Sequence, residues 1–137
     1  MNRKRFGIMP IIAGIAVLLF ALTGCQNIVS PGEEVVLRIG QSVSIEGEDL
    51  KITFAGVSGD SRCPADAICI WAGEVTCLME IRQDGEVFSV EFVYPGLADG
   101  FSRLTHKNHT YNFKVRPYPE IDKTIADSEY RLILTVD

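Results

Sequence analysis

The stretch Val75–Val93 constrains the fold more tightly than any other. Apolar residues recur at every second position on both sides of Asp84-Gly85: Cys77, Met79 and Ile81 before it, Phe88, Val90 and Phe92 after it. That period puts one set of side chains on one face of an extended chain. Asp-Gly suits a two-residue hairpin turn, in which both central positions need positive φ. Folding the segment about it pairs Gln83 with Glu86, Ile81 with Phe88, Met79 with Val90 and Cys77 with Phe92. A slip of one residue would set these apolar positions against polar ones, so the register is specified.

The same period recurs along the chain. Val35, Leu37 and Ile39 alternate with Glu34, Val36 and Arg38, and Val43 and Ile45 alternate with serines. A turn at Gly47-Glu48 would set Val43 opposite Ile52 and Ile45 opposite Leu50. Tyr111, Phe113 and Val115 form one further strand pattern, and Tyr130, Leu132, Leu134 and Val136 another. About seven short strands predict an all-β fold, a small antiparallel β-sandwich or open barrel. No helical stripe follows the first 24 residues, and Pro119–Ser128 is where a short helical turn is expected.

Ahead of this domain, Arg3, Lys4 and Arg5 precede an apolar run from Ile8 to Leu22, with no acidic residue before Cys25. Charge, then apolar run, then small residues is the order of a secretory signal peptide. A spanning helix needs about 20 apolar residues; this run is shorter and carries Pro10 and Gly14. Even uncleaved, it would export the C-terminal part, because the basic residues stay inside. Leu22-Thr23-Gly24-Cys25 resembles the lipobox of bacterial lipoproteins. The resemblance implies a cut before Cys25 and a diacylglyceryl group on its sulfur. Residues 1–24 are then a cleaved helical signal peptide, 25–33 a lipidated cysteine and short tether containing Ser30-Pro31-Gly32, and 34–137 the β-domain. At about 0.8 kcal/mol per buried methylene, two or more acyl chains hold a protein stably on a bilayer. Gln26 is not the aspartate that resembles an inner-membrane retention signal. The expected location is therefore extracytoplasmic: the outer membrane where there are two, otherwise the outer face of the cell membrane.

Losing residues 1–24 takes Lys+Arg from 13 to 10 while Asp+Glu stays at 18, so the formal charge goes from −5 to −8. That balance disfavours nucleic acid, which is bound by neutralising phosphates. It also leaves the acyl chains, not basic residues, to do the anchoring.

Four cysteines are present, Cys25, Cys63, Cys69 and Cys77. Lipidation would consume Cys25. Cys77 falls on the apolar face of its strand, opposite Phe92, and reads as a buried free thiol acting as a small hydrophobe. Cys63 and Cys69 flank Pro-Ala-Asp-Ala-Ile and are close enough to bridge in an oxidising compartment. The open alternative is a metal or redox site using Cys63 and Cys69 with His106 or His109.

Asp60-Ser61-Arg62-Cys63-Pro64, followed by Cys69-Ile70-Trp71-Ala72-Gly73, resembles a motif of small secreted or lipid-anchored bacterial domains of unknown function. The resemblance is strongest over Asp60–Ile81 and implies no activity. Asp60 is expected to hold turn donors or pair with Arg62. Trp71 is expected to pack over the disulfide, its indole N–H toward a polar partner. Because Asp84-Gly85 closes one end of the central hairpin, the other end must receive both the Asp60–Glu74 loop and the Tyr94–Phe101 loop. Binding residues concentrate on loops held by a rigid scaffold. Trp71, Tyr94 and Phe101 are thus the expected apolar contacts of a recognition surface, with Asp60, Arg62 and Asp99 as its polar members.

No glycine-rich phosphate loop and no Gly-x-Ser-x-Gly elbow occurs, and no cofactor motif or catalytic set can be assembled. His106-Lys107-Asn108-His109 reads as a polar turn before the strand at Tyr111. The expected function is a lipid-anchored binding module for an envelope protein or small ligand, the alternative a metal-handling or redox protein.

Overall fold

A computed structural model describes residues 27–137; the expected signal peptide and Cys25 lie outside the described residues. Two sheets face each other without closing into a barrel. One carries β1 (Asn27–Val29), β3 (Ser42–Ile45), β4 (Leu50–Asp60), β5 (Glu74–Gln83) and β6 (Glu86–Pro95), in the order β1-β3-β4-β5-β6. The other carries β2 (Val35–Leu37), β7 (Ser102–His106), β8 (His109–Arg116) and β9 (Arg131–Val136), in the order β2-β9-β8-β7.

The central hairpin has the register expected of it. Gln83 pairs with Glu86, Ile81 with Phe88, Met79 with Val90 and Cys77 with Phe92. Asp84 and Gly85 have φ of 52° and 79°. Val43 likewise pairs with Ile52. The inward faces of the sheets meet in one core. Phe92 stacks on Phe113 at 4.7 Å and on Tyr111 at 5.4 Å between ring centroids, bridging the sheets. Cys77 is free and fully buried, and burial pushes its thiol up to about 12, so it packs rather than reacts.

The strand count and the domain boundary need correction. Nine strands are present among the described residues, the additions being β1 and β7. β1 lies in the segment expected to be a tether, yet it pairs in parallel with β3, Asn27 opposite Val43. Gly32 N–H donates to the Val136 carbonyl at 2.7 Å. The folded unit therefore begins by Asn27, not at residue 34, because this short edge strand satisfies its backbone groups on β3. The Pro119–Ser128 segment holds a single 3-10 turn, Asp127–Glu129.

Candidate functional site

The two ends of the sandwich differ, and the expected recognition loops lie at the end away from Asp84-Gly85. Beyond the last β4–β5 rung, Asp60 opposite Val75, the ladder continues into the loop: Ser61 N–H donates to Glu74 O at 2.8 Å and Cys63 N–H to Ala72 O at 2.7 Å. Gly96 N–H donates to Gly73 O at 2.8 Å. The three strands of chain pass so closely that a Cβ on Gly73 would lie 1.8 Å from Ser61 O, and one on Gly96 1.9 Å from Ala72 O. Glycine is required at both positions for that approach. The Cys63–Cys69 disulfide closes the loop, with Cα atoms 5.9 Å apart.

The expected Asp60–Arg62 pair forms, but in the interior. Arg62 is 3% exposed. Its Nε donates to Asp60 Oδ1 at 2.8 Å and its Nη2 to Oδ2 at 2.6 Å, a bidentate pair. The same guanidinium donates to the carbonyls of Pro117 at 2.9 Å and Val115 at 3.3 Å, on the opposite sheet's side. Tyr130 Oη donates to Asp60 Oδ2 at 3.0 Å. Burial acts to raise the Asp60 carboxyl, but the bonds and charge of Arg62 outweigh it and leave the group below its ordinary 3.8. Burial, then the bond to Asp60, pushes the Tyr130 hydroxyl up to about 12. The cluster is an internal rivet between the sheets.

Three expected roles are therefore corrected. Arg62 is not a surface charge, because two backbone carbonyls of the facing sheet's chain and Asp60 draw it inside. Tyr94 is not a surface contact: it is 1% exposed. It continues the inward set of Phe92, with its hydroxyl shared between the carbonyls of Ala98 (3.1 Å) and Gly100 (2.9 Å). Trp71 does not fold over the disulfide, because the loop neck projects it outward, 83% exposed. Asp60 is nearly buried against Arg62. Asp99 is exposed, its carbonyl accepting from Lys114 Nζ at 3.0 Å, and Phe101 is half-exposed.

Alongside charged residues such as Asp66 and Glu74, large apolar side chains reach solvent at this end. Ile68 and Ile70 are fully exposed, and Trp71, Leu97 and Ile121 are exposed in the same loop or in the loops bonded to it. Ile68, Ile70, Leu97 and Ile121 escaped the sequence reading. The signal was present for two of them, since Ala67-Ile68-Cys69-Ile70-Trp71-Ala72 is an unbroken apolar run inside a loop. The Tyr94–Phe101 loop and the segment after β8 are tied to each other and to the Asp60–Glu74 loop by hydrogen bonds. Leu97 N–H donates to the Tyr118 hydroxyl at 2.6 Å, Ala65 N–H to Pro119 O at 2.9 Å, and Ile121 N–H to Asp66 Oδ1 at 2.8 Å.

The two histidines lie elsewhere. They face each other across the β7–β8 turn, where His109 pairs with Glu48 and His106 packs against Phe88. The length of β5, about 30 Å, separates that end from Cys63 and Cys69. Among the described residues no group of three or more His, Cys, Asp or Glu is arranged to hold a metal ion.

Comparison with protein-family models, curated proteins and solved structures yields no match.

Proposed function

We propose that this chain is a lipid-anchored recognition module on the outside of a bacterial membrane, held by acyl chains on Cys25 and making contact through its disulfide-closed loop. One observation carries the reading: Ile68, Ile70 and Trp71 stand exposed on a loop whose neck is tied by backbone bonds, glycine contacts and a cross-link. A folded domain rarely spends so rigid a support on side chains that touch only water, and exposed apolar clusters mark interaction sites. The basic, apolar and small-residue leader ending in Leu22-Thr23-Gly24-Cys25 supports the anchor, and a disulfide accords with an oxidising compartment.

Two measurements test it. Mass spectrometry of protein from intact cells should find Cys25 as the first residue, carrying an acyl mass; an intact methionine start with a free thiol in the cell interior would overturn the anchor. A photo-crosslinking side chain at position 70 should form adducts with an envelope component in living cells. An irradiated tip that captures nothing would overturn the recognition role.

A further inference from the structure

The direction in which the chain enters the fold bears on what the loop meets. β1 runs parallel to β3, with Asn27 opposite Val43, Val43 opposite Ile52 and Ile52 opposite Ile81. From Ile81, β5 leads back six residues to Val75 at the loop end, about 20 Å of extended chain. The N-terminal end of β1, at Asn27, therefore faces the loop end of the sheet. Cys25 stands two residues before Asn27 in the sequence, a chain length of at most about 7 Å. β1 and β3 are short and lie at one edge, whereas β4 and β5 run on past them toward the loop.

The chemistry of the tip selects among surfaces. A protein partner ordinarily demands a hydrogen bond for every 100–200 Å² or so of interface. Here the buried polar groups of the loop neck are engaged inward, and the side chains of the tip itself offer a partner few hydrogen bonds. Arg62 holds Asp60 and two carbonyls, Tyr94 holds its own loop, and the Tyr118 hydroxyl and Asp66 accept backbone N–H groups. At the tip Ile68, Ile70 and Trp71 face outward, with the exposed Asp66 and Glu74 on either side of them in sequence. Aliphatic side chains with a tryptophan beside them suit the boundary between headgroups and acyl chains, where an indole places its ring in the apolar layer and its N–H near water. A tethered tip needs little intrinsic affinity, because the anchor keeps it at high effective concentration.

We infer that the Ile68–Trp71 tip seats in the same bilayer that holds the Cys25 lipid, a second membrane contact that fixes the orientation of the domain. The inference rests on the anchored reading above. Seating is by apolar burial, since the residues flanking the tip, Asp66 and Glu74, are acidic and give anionic lipid no purchase.

Trp71 is the sole tryptophan, so intrinsic fluorescence reports on the tip alone. The full lipoprotein, purified from membranes and verified by mass to be acylated, is reconstituted into phosphatidylethanolamine–phosphatidylglycerol vesicles with brominated acyl chains. The expected result is a blue-shifted emission that loses intensity to the bromines, at low and high salt alike. Ile68→Asp with Ile70→Asp should remain vesicle-bound through its lipid, with an unchanged urea transition, and lose both the shift and the quenching. Unquenched Trp71 emission from acylated protein would overturn the inference while leaving the anchor standing. So would emission shielded only in native membranes, which would assign the tip to a protein partner. Quenching abolished by salt would replace the apolar seat with an electrostatic one. Absence of acyl mass on Cys25 would remove the anchored reading and the inference together.

Discussion

The two ends of this sandwich solve opposite problems. At the Asp84-Gly85 end the strands reverse in short turns, with positive φ at Gly47, Asp84, Gly85 and Lys107. The ion pair there, Lys107 with Glu86, is solvent-facing, His109 hydrogen-bonds Glu48 at the partly exposed edge, and Lys107 Nζ sits 4.0 Å above the Phe88 ring. At the other end the loops are long, the Asp60–Arg62 pair is internal beside the exposed Lys123–Glu120 pair, and large apolar side chains point out. Exposed pairs contribute little, so the first end is maintained mainly by turn chemistry and the core beneath it. The second end has too much irregular backbone for turns to fix. It is held by a buried Asp60–Arg62 rivet, a disulfide and glycine-tight contacts, and these leave its outer residues free of structural duty. The difference teaches where to look for function: at the end whose support is elaborate and whose surface is not consumed by that support.

Breaking the rivet should give the largest contrast. Arg62→Met leaves the nearly buried Asp60 carboxylate and the Val115 and Pro117 carbonyls without their donor. Removing one partner of a buried pair costs about 3–5 kcal/mol, whereas Lys107→Met at the other end should cost under about 1 kcal/mol. Urea unfolding of both variants checks this, and equal losses would erase the distinction between the ends. The pH dependence carries a sign. In the wild type the folded Asp60 carboxyl titrates below 3.8. Its contribution is therefore full above 3.8 and is lost as pH falls through the lower folded value. In Arg62→Met, burial acts without the guanidinium and lifts the carboxyl above 3.8, so the folded state then favours the protonated form. That variant loses stability as pH rises through the raised value, and its deficit relative to wild type should shrink between neutral pH and about pH 3.

The glycines sharpen the comparison next. Gly73 and Gly85 both have positive φ, 68° and 79°. A methyl on Gly85 meets nothing within 4 Å, but one on Gly73 lands 1.8 Å from a backbone oxygen. Gly85→Ala should cost about 1–2 kcal/mol for the left-handed backbone alone, and Gly73→Ala about 2–4 kcal/mol once the loop neck is forced apart. Equal midpoints in urea would mean that the neck is looser than its bonds imply. Cys63→Ser with Cys69→Ser should then cost about 2.4 kcal/mol by loop closure. A thiol count on the denatured, acylated, unreduced wild type should return Cys77 alone.

Where local chemistry and periodicity agree, the chain could be read residue by residue. Asp84-Gly85 and the alternation around it determine the register of β5 on β6, and Gly47 does the same for β3 on β4. β1 has three residues and no alternation to display, and its partner is chosen in parallel from a strand 16 positions away. β7 offers Leu104 as its sole aliphatic residue and sits at a sheet edge, so little in it demands an inward face. The convergence of the two loops followed from topology, because a hairpin closed at one end must open at the other. The direction of their side chains did not. Tyr94 could have been placed inside by carrying the Phe92 phase two residues further. Arg62 could not, since the carbonyls that draw it inward belong to residues more than 50 positions away. Trp71 lies in a stretch with no period, where an indole's hydrophobicity argues for the interior until the loop neck excludes it.

The smallest expected effect is at the tip itself. Trp71 is 83% exposed and Ile70 entirely so, so truncating either removes almost no buried area. Trp71→Ala and Ile70→Ser should each move the unfolding free energy by less than about 0.5 kcal/mol, below every change at the rivet, the neck or the cross-link. That near-zero value is what the hydrophobic effect requires of apolar side chains that face water in the folded state, since folding removes almost none of their area from water. A loss above 1 kcal/mol or so in either variant would mean that the tip packs against the domain in solution, and the outward face would then be part of the core. Unchanged stability with altered Trp71 emission or crosslinking in the Ile70 variant would separate the support of this loop from its use.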